Sequence, residues 1–185
     1  MIIRNETALD VAAREHLLDA AFGEARFRKT SERLREGRLP AEGLALVAEE
    51  DGELIGTVRL WNISAGPRRA ALLLGPLAVS ATRQSCGLGS RLMTAALSRA
   101  AELGHASVLL VGDAPYYSRF GFTAEHTARL WLPGPYEAGR FLARELVPHA
   151  LLGAAGLVNA TGTFAPVAQP AERWIAAAHG LQQAA

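Results

Sequence analysis

The sequence predicts an α+β fold in α/β/α layers: a mixed, mostly antiparallel central sheet with helices on both faces. Three observations predict it. Two helical segments near the N-terminus precede a meander of short apolar strands. Asp51-Gly52 is a hairpin signal between two of those strands. The stretch from Ala71 to Val111 reads strand, glycine-bearing loop, long helix, strand, which is enough chain for a right-handed parallel crossover.

Taken in order, Met1 to Arg4 is a short first strand. Thr7 can cap a helix reaching Ala20, with Leu9, Ala12, Ala13, His16, Leu17 and Ala20 on one side at helical spacing. Ser31 opens a second, shorter helix that Gly37 and Pro40 end. Leu44 to Glu49 and Glu53 to Asn62 are the hairpin strands. After a polar turn at Gly66-Pro67-Arg68-Arg69, Ala71 to Ser80 is a strand interrupted by Gly75-Pro76. Proline cannot donate to a ladder and glycine permits a bulge, so this strand is expected to part from a neighbour near its middle. A polar loop spans Ala81 to Gly89, and a helix from Ser90 to Leu103 stops at Gly104. Ser107 to Val111 reads as a strand buried on both faces. Gly112-Asp113-Ala114-Pro115 begins a short helix bearing Tyr116, Tyr117 and Arg119, and Phe120-Gly121-Phe122 leads into another strand. Thr127 to Leu132 and Phe141 to Val147 are further strands around the Pro133-Gly134-Pro135 turn. Past Pro148 the periodic signal weakens. Gly162 to Pro170 reads as a linker and Ala171 to Gln183 as an appended helix. The division is one domain over 1–166, then linker and helix over 167–185.

Composition narrows the partners. Across 185 residues, 19 Lys and Arg face 18 Asp and Glu, a formal net charge of +1. That balance gives no electrostatic reason to expect nucleic acid or an anionic membrane. The lone cysteine, Cys86, excludes an internal disulfide. The N-terminus lacks a basic segment followed by an apolar run, and no apolar stretch is of bilayer length, so the cytoplasm is the expected location. His16, His105, His126, His149 and His179 are scattered without metal-ligand spacing, and no metal is expected.

The informative segment is the loop Arg83-Gln84-Ser85-Cys86-Gly87-Leu88-Gly89-Ser90, between a strand and a long helix. The first turn of a helix carries unpaired N–H groups and the positive end of the helix dipole, where phosphates bind readily. Gly87 and Gly89 let the backbone approach an anion closely, Arg83 adds a permanent charge, and Ser85 and Ser90 add hydroxyls. The Gly-Lys-Ser/Thr of a Walker loop and the three glycines of the dinucleotide fingerprint are both missing. The residues thus specify an anion site and leave the anion open.

Gln84-x-x-Gly87-x-Gly89, preceded by a strand and Arg83, resembles the acetyl-CoA signature of the GNAT superfamily of N-acetyltransferases. Downstream, Tyr117-Ser118-Arg119-Phe120-Gly121-Phe122 resembles the Tyr-x-x-x-Gly-Phe of the same superfamily. Gly112-Asp113-Ala114-Pro115-Tyr116 and the later Leu132-Pro133-Gly134-Pro135-Tyr136 are similar to the bacterial YhbS-like acetyltransferases. The resemblance runs from about Met1 to Pro166. It implies a splayed parallel strand pair with the pantetheine arm of acetyl-CoA in the gap, bonded to the backbone of Leu77, Ala78 and Val79. It implies pyrophosphate held by the amides from Gln84 to Ser90, direct attack of a primary amine within a ternary complex, and Tyr117 as the acid that protonates the leaving thiolate. An oxyanion donor is then expected among the backbone N–H groups of the splay. Three functions stay open: acetylation of a small-molecule amine, acetylation of a protein N-terminus or lysine, and non-catalytic acyl-CoA binding.

The remaining candidates have plainer readings. Asp113 suits a helix cap, and no general base is assigned. Cys86, at a helix N-terminus beside Arg83, has the setting of a reactive thiol. In this loop its amide is expected to matter and its sulfur not. Trp61, Trp131 and Trp174 read as packing residues, and Arg68-Arg69 as a solvated turn, with the cofactor's phosphates or an acidic substrate as the other options. The acceptor pocket is expected from the first two helices and the loops after Asn62 and Leu132. The appended helix near Trp174 makes a homodimer possible.

Overall fold

The computed structural model describes residues 1–166. The linker from 167 and the helix at Ala171 to Gln183, with Trp174, lie outside the described residues.

Eight strands form the sheet: β1 (Ile2–Asn5), β2 (Ala45–Glu50), β3 (Glu53–Ala65), β4 (Ala70–Val79), β5 (Ser107–Val111), β6 (Leu130–Trp131), β7 (Phe141–Glu145) and β8 (Gly156–Ala160). Their order is β1-β2-β3-β4-β5-β7, and β8 pairs with the end of β3 and with β6. Neighbours are antiparallel except β4–β5 and β6–β8. The hairpin turn puts Asp51 and Gly52 at φ 52° and 81°, the left-handed pair that a tight two-residue turn requires.

Three helices pack on the sheet: α1 (Val11–Phe22), α2 (Leu88–Glu102) and the single turn α3 (Ala114–Tyr117). α2 buries Leu88, Leu92, Met93, Ala96, Leu97 and Ala100 against Leu46, Val58, Leu60, Leu72 and Leu110. Gly56 permits that approach, because a Cβ there would sit 2.8 Å from a Leu92 methyl. Strand parity divides the two faces. Leu72 and Leu74 face α2, whereas Ala71 and Leu73 join the opposite core with Trp61, Ile63, Leu109 and Phe141. Past Gly75-Pro76 the parity reverses: Leu77 and Val79 turn to the α2 side and Ala78 meets Leu17 and Leu18 of α1. One residue of β3, Arg59, opposes these two residues of β4 in the register, which is a bulge. Trp61 fixes it by donating its indole N–H to the Gly75 carbonyl at 2.6 Å.

Several expectations need correction. The helix expected from Thr7 begins as a 3-10 turn at Ala8–Asp10 and becomes α-helical only at Val11. Its buried residues are Arg14, Leu17 and Leu18, while Leu9 is 94 % exposed and Ala12, Ala13, His16 and Ala20 also face solvent. Apolar spacing misled because the helix turns an arginine inward: Arg14 pairs with buried Glu6, which Arg59 also holds. The helix expected from Ser31 is a single 3-10 turn, Thr30–Leu34, and an unforeseen 3-10 turn at Glu24–Arg28 precedes it. The Thr127 to Leu132 strand is a 3-10 turn at Glu125–Thr127 followed by the two residues of β6. The strand expected after Phe122 reduces to one bridge between Thr123 and Ala143. Trp61 packs as expected, but Trp131 is 51 % exposed.

Candidate active site

The β4–β5 ladder holds only at Leu72–Val108 and Leu73–Leu109. Beyond it β4 stays with β3 as far as Val79, and β5 stays with β7 as far as Val111. A gap opens between them at Gly75-Pro76, where the sequence required the strand to part from a neighbour. Leu77, Ala78 and Val79 line a cavity of about 530 Å³ on one side. Leu74, Gly75 and Pro76, with Leu110 and Val111, line another of about 450 Å³. Phe22, Leu77 and Tyr116 border both, so the two adjoin across the gap.

The glycine-bearing loop walls the first cavity. α2 begins two residues earlier than expected, capped by Gly87 in the left-handed conformation (φ 75°), with Ser85 also at positive φ (63°). The N–H groups of Arg83 and Gln84 turn back to the Ser80 and Ala81 carbonyls at 2.9 and 3.4 Å. From Ser85 to Ser90, no backbone N–H makes a well-aligned bond to a protein acceptor among the described residues beyond the loose closure of the turn at 84–87, and regular bonding resumes with Arg91 donating to Gly87 at 3.0 Å. Six successive donors without a well-aligned partner, at the positive end of a 15-residue helix, suit an anion. The Gln84 amide, expected among the free ones, is committed to Ala81.

Side chains refine this picture. Arg83 lines the cavity but also pairs with Glu50, so its charge is shared. A second guanidinium, missed in the sequence, comes from Arg119. It donates to Ser90 Oγ at 3.2 Å and lies 4.4 Å over the Tyr116 ring. Arg119 lies 29 residues along the chain from Ser90, so only the fold reveals the pairing. Gln84, Ser85, Gly87, Leu88, Gly89 and Ser90 line the cavity; Cys86 is exposed and does not. Arg68 and Arg69 do not line it either.

Across the gap, Asp113 caps α3 by accepting from the Tyr116 N–H at 3.2 Å. That turn delivers Tyr117 to the second cavity and Tyr116 to both. The Tyr117 ring packs edge-on against Tyr116 and Phe122, with centroids 5.0 and 6.0 Å apart. Gly112 makes room for it, since a Cβ there would lie 2.1 Å from Tyr117 Cε2. Burial first, then proximity to Tyr116 and Asp113, pushes the Tyr117 phenol above its ordinary pKa of 10.0. It therefore holds its proton at neutral pH.

The outer wall of the second cavity comes from the 3-10 turns after α1, which contribute Arg26, Lys29, Ser31 and Arg35, and from Arg140 before β7. Arg33 anchors these turns by donating to the Pro133 carbonyl at 2.6 Å, and Thr30 donates to Pro135. Although none of its residues lines the cavity, the turn after Leu132 thus supports this wall. The segment after Asn62 does not, because β3 continues to Ala65 and Asn62 lines a different cavity. Among the described residues no group of His, Cys, Asp and Glu could hold a metal ion.

The sequence model of the acetyltransferase (GNAT) family matches residues 11–122, from α1 through the gap, the loop and Tyr117 to Phe122. The chain belongs to this family. It is a GNAT N-acetyltransferase by sequence and by fold. It is 33 % identical over 162 residues to the N-acetyltransferase YhbS of Escherichia coli K12, covering 86 % of this chain and 95 % of that one. A crystal structure of E. coli YhbS in complex with CoA superposes with a TM-score of 0.74 at 32 % identity, over 86 % of this chain and 89 % of the other. A GNAT acetyltransferase from Brucella melitensis in complex with acetyl-CoA gives 0.58 at 28 % identity, over 80 % and 88 %. The parallel β4–β5 pair with helices packed on the sheet is the GNAT arrangement.

Proposed function

We propose that this GNAT protein transfers the acetyl group of acetyl-CoA to the primary amine of a small molecule, by direct attack with both substrates bound. The observation that carries the proposal is the run of unpaired amides from Ser85 to Ser90 beside the β4–β5 gap, with Tyr117 on its far side. The loop amides, Arg119 and Arg83 hold the pyrophosphate. The free edge of β4 at Leu77, Ala78 and Val79 receives the amides of the pantetheine arm, which directs the thioester into the gap. CoA bound to E. coli YhbS and acetyl-CoA bound to the Brucella protein support this assignment.

In the gap, a neutral amine attacks the thioester carbonyl, and the oxyanion that develops takes a hydrogen bond from backbone N–H groups freed by the splay. Holding both reactants in register supplies much of the acceleration. As the C–S bond breaks, the Tyr117 hydroxyl gives its proton to the departing thiolate, and the proton lost by the amine passes through water to restore the phenol. A cavity of about 450 Å³ on the acceptor side suits a small molecule.

The test is a Tyr117→Phe variant with CoA release followed by thiol titration. Turnover should fall by about a hundredfold, the lower end for loss of a positioned acid, while affinity for acetyl-CoA stays the same. Equal turnover in the variant would remove Tyr117 from the chemistry.

A further inference from the structure

The second cavity carries more positive charge than a cationic amine would tolerate. Arg26, Lys29, Arg35 and Arg140 line it, against the single carboxylate of Asp113. Asp113 is occupied by the Tyr116 amide. Arg26 is neutralised by Glu15 and Asp19. Lys29 and Arg140 have no carboxylate partner among the described residues. Arg35 is 93 % buried by its 7 % exposure, is bonded to Glu32 at 2.7 Å through one nitrogen, and leaves its buried Nε–H without an acceptor. Lys29 is also the only lysine in a chain with 18 arginines, from the total of 19.

Burial, followed by repulsion from Arg35 and Arg140, lowers the Lys29 pKa, so these three groups feel one another. Crowding cations on a partly dry wall costs free energy that a counter-ion recovers. A third cavity of about 310 Å³ shares Lys29, Ser31, Val111 and Arg140 and adds Arg28 and Glu137, so cations still outnumber carboxylates as the wall continues. The face towards Tyr117, by contrast, is apolar, built from Leu74, Pro76, Leu77 and Leu110.

We propose that the acceptor is an amine that also carries a carboxylate or phosphate, its anionic group held by Lys29, Arg35 and Arg140 while its amine points at the β4–β5 gap. This deepens the functional reading above and rests on it. Arg35 supplies a fixed, pre-organised guanidinium, and Lys29 and Arg140 close on the anion from the outer side.

The experiment compares matched amines by thiol release: amino acids against their amides, and phosphorylated amino alcohols against the parent alcohols. In at least one arm, carboxylate or phosphate, the anionic member should have a kcat/KM about tenfold higher or more, the scale of one charge-assisted hydrogen bond. Lys29→Met and Arg35→Met should both erase that preference with the KM for acetyl-CoA unchanged. Should Arg35→Met misfold, Lys29→Met carries the comparison alone. Neutral members acetylated as well as anionic ones would overturn the inference and leave the acetyltransferase reading intact. If no amine releases thiol, calorimetry of the same amines on CoA-loaded protein decides. Binding of an anionic member that Lys29→Met abolishes supports the inference, and absence of such binding overturns it.

Discussion

At the scale of single residues, the site depends on what its neighbours leave out. Gly112 is a glycine because the Tyr117 ring occupies the space a Cβ would fill. The clash falls on an aromatic ring wedged between Tyr116 and Phe122, which cannot swing aside cheaply. Gly112→Ala should therefore push the hydroxyl off the line to the thiolate proposed for it. A displacement near 1 Å costs about a hundredfold in rate, so kcat should fall by roughly that factor. The prediction is checked by steady-state kinetics beside thermal unfolding, and unchanged kcat in a folded variant would mean the ring has no fixed role. At this scale the sequence was informative about where Tyr117 and the loop sit, because their motifs are local. It was silent on Arg119 at Ser90 and on the cationic wall of Lys29, Arg35 and Arg140. Those groups meet only after the chain folds, and no spacing encodes their approach.

At the scale of elements, short-range chemistry was legible and ion pairing was not. Asp51-Gly52, Gly75-Pro76 and Gly104 each mark a turn, bulge or helix end near its observed place. α1 was misread because its inward face carries Arg14 and its N-terminus is tied by charge. β8 escaped notice because its burial alternates but its residues do not: the inward positions are Gly156, Val158 and Ala160, and the outward ones include Leu157. Asp10 shows how charge fixes an element. It accepts two bonds from Arg4, both 2.8 Å, and one from the Thr7 N–H at 2.7 Å. Arg4 in turn reaches Glu49 of β2, so one cluster joins β1, β2 and the start of α1. The Arg4 bonds, outweighing burial, hold the Asp10 carboxyl far below its usual range. A carboxyl whose pKa is depressed on folding adds stability in full above the unfolded value and loses it as pH falls. Here the loss begins below about pH 4. Asp10→Asn should lower stability at neutral pH, and its deficit against the parent should shrink as the pH drops through that range. Urea titrations across pH check this, and a deficit independent of pH would mean the ionised form of Asp10 contributes nothing.

At the scale of the molecule, a sheet defect and a helix start cooperate. The bulge at Gly75-Pro76 reverses the parity of β4, separates it from β5 and presents its edge at Leu77 to Val79. The same strand leads directly into the loop whose amides are free. A donor laid along this path reaches from the start of α2 to the gap, where Tyr117 and the cationic cavity wait on the other side. The architecture was legible in the sequence because each of these steps is local and consecutive. The most direct measurement is an amide NMR titration of the protein with CoA. The account predicts that the largest shifts fall on the N–H groups from Ser85 to Ser90, followed by Leu77 to Val79, with Gln84 moving less because its N–H is bonded to Ala81. CoA binding that left Ser85 to Ser90 unperturbed would contradict it.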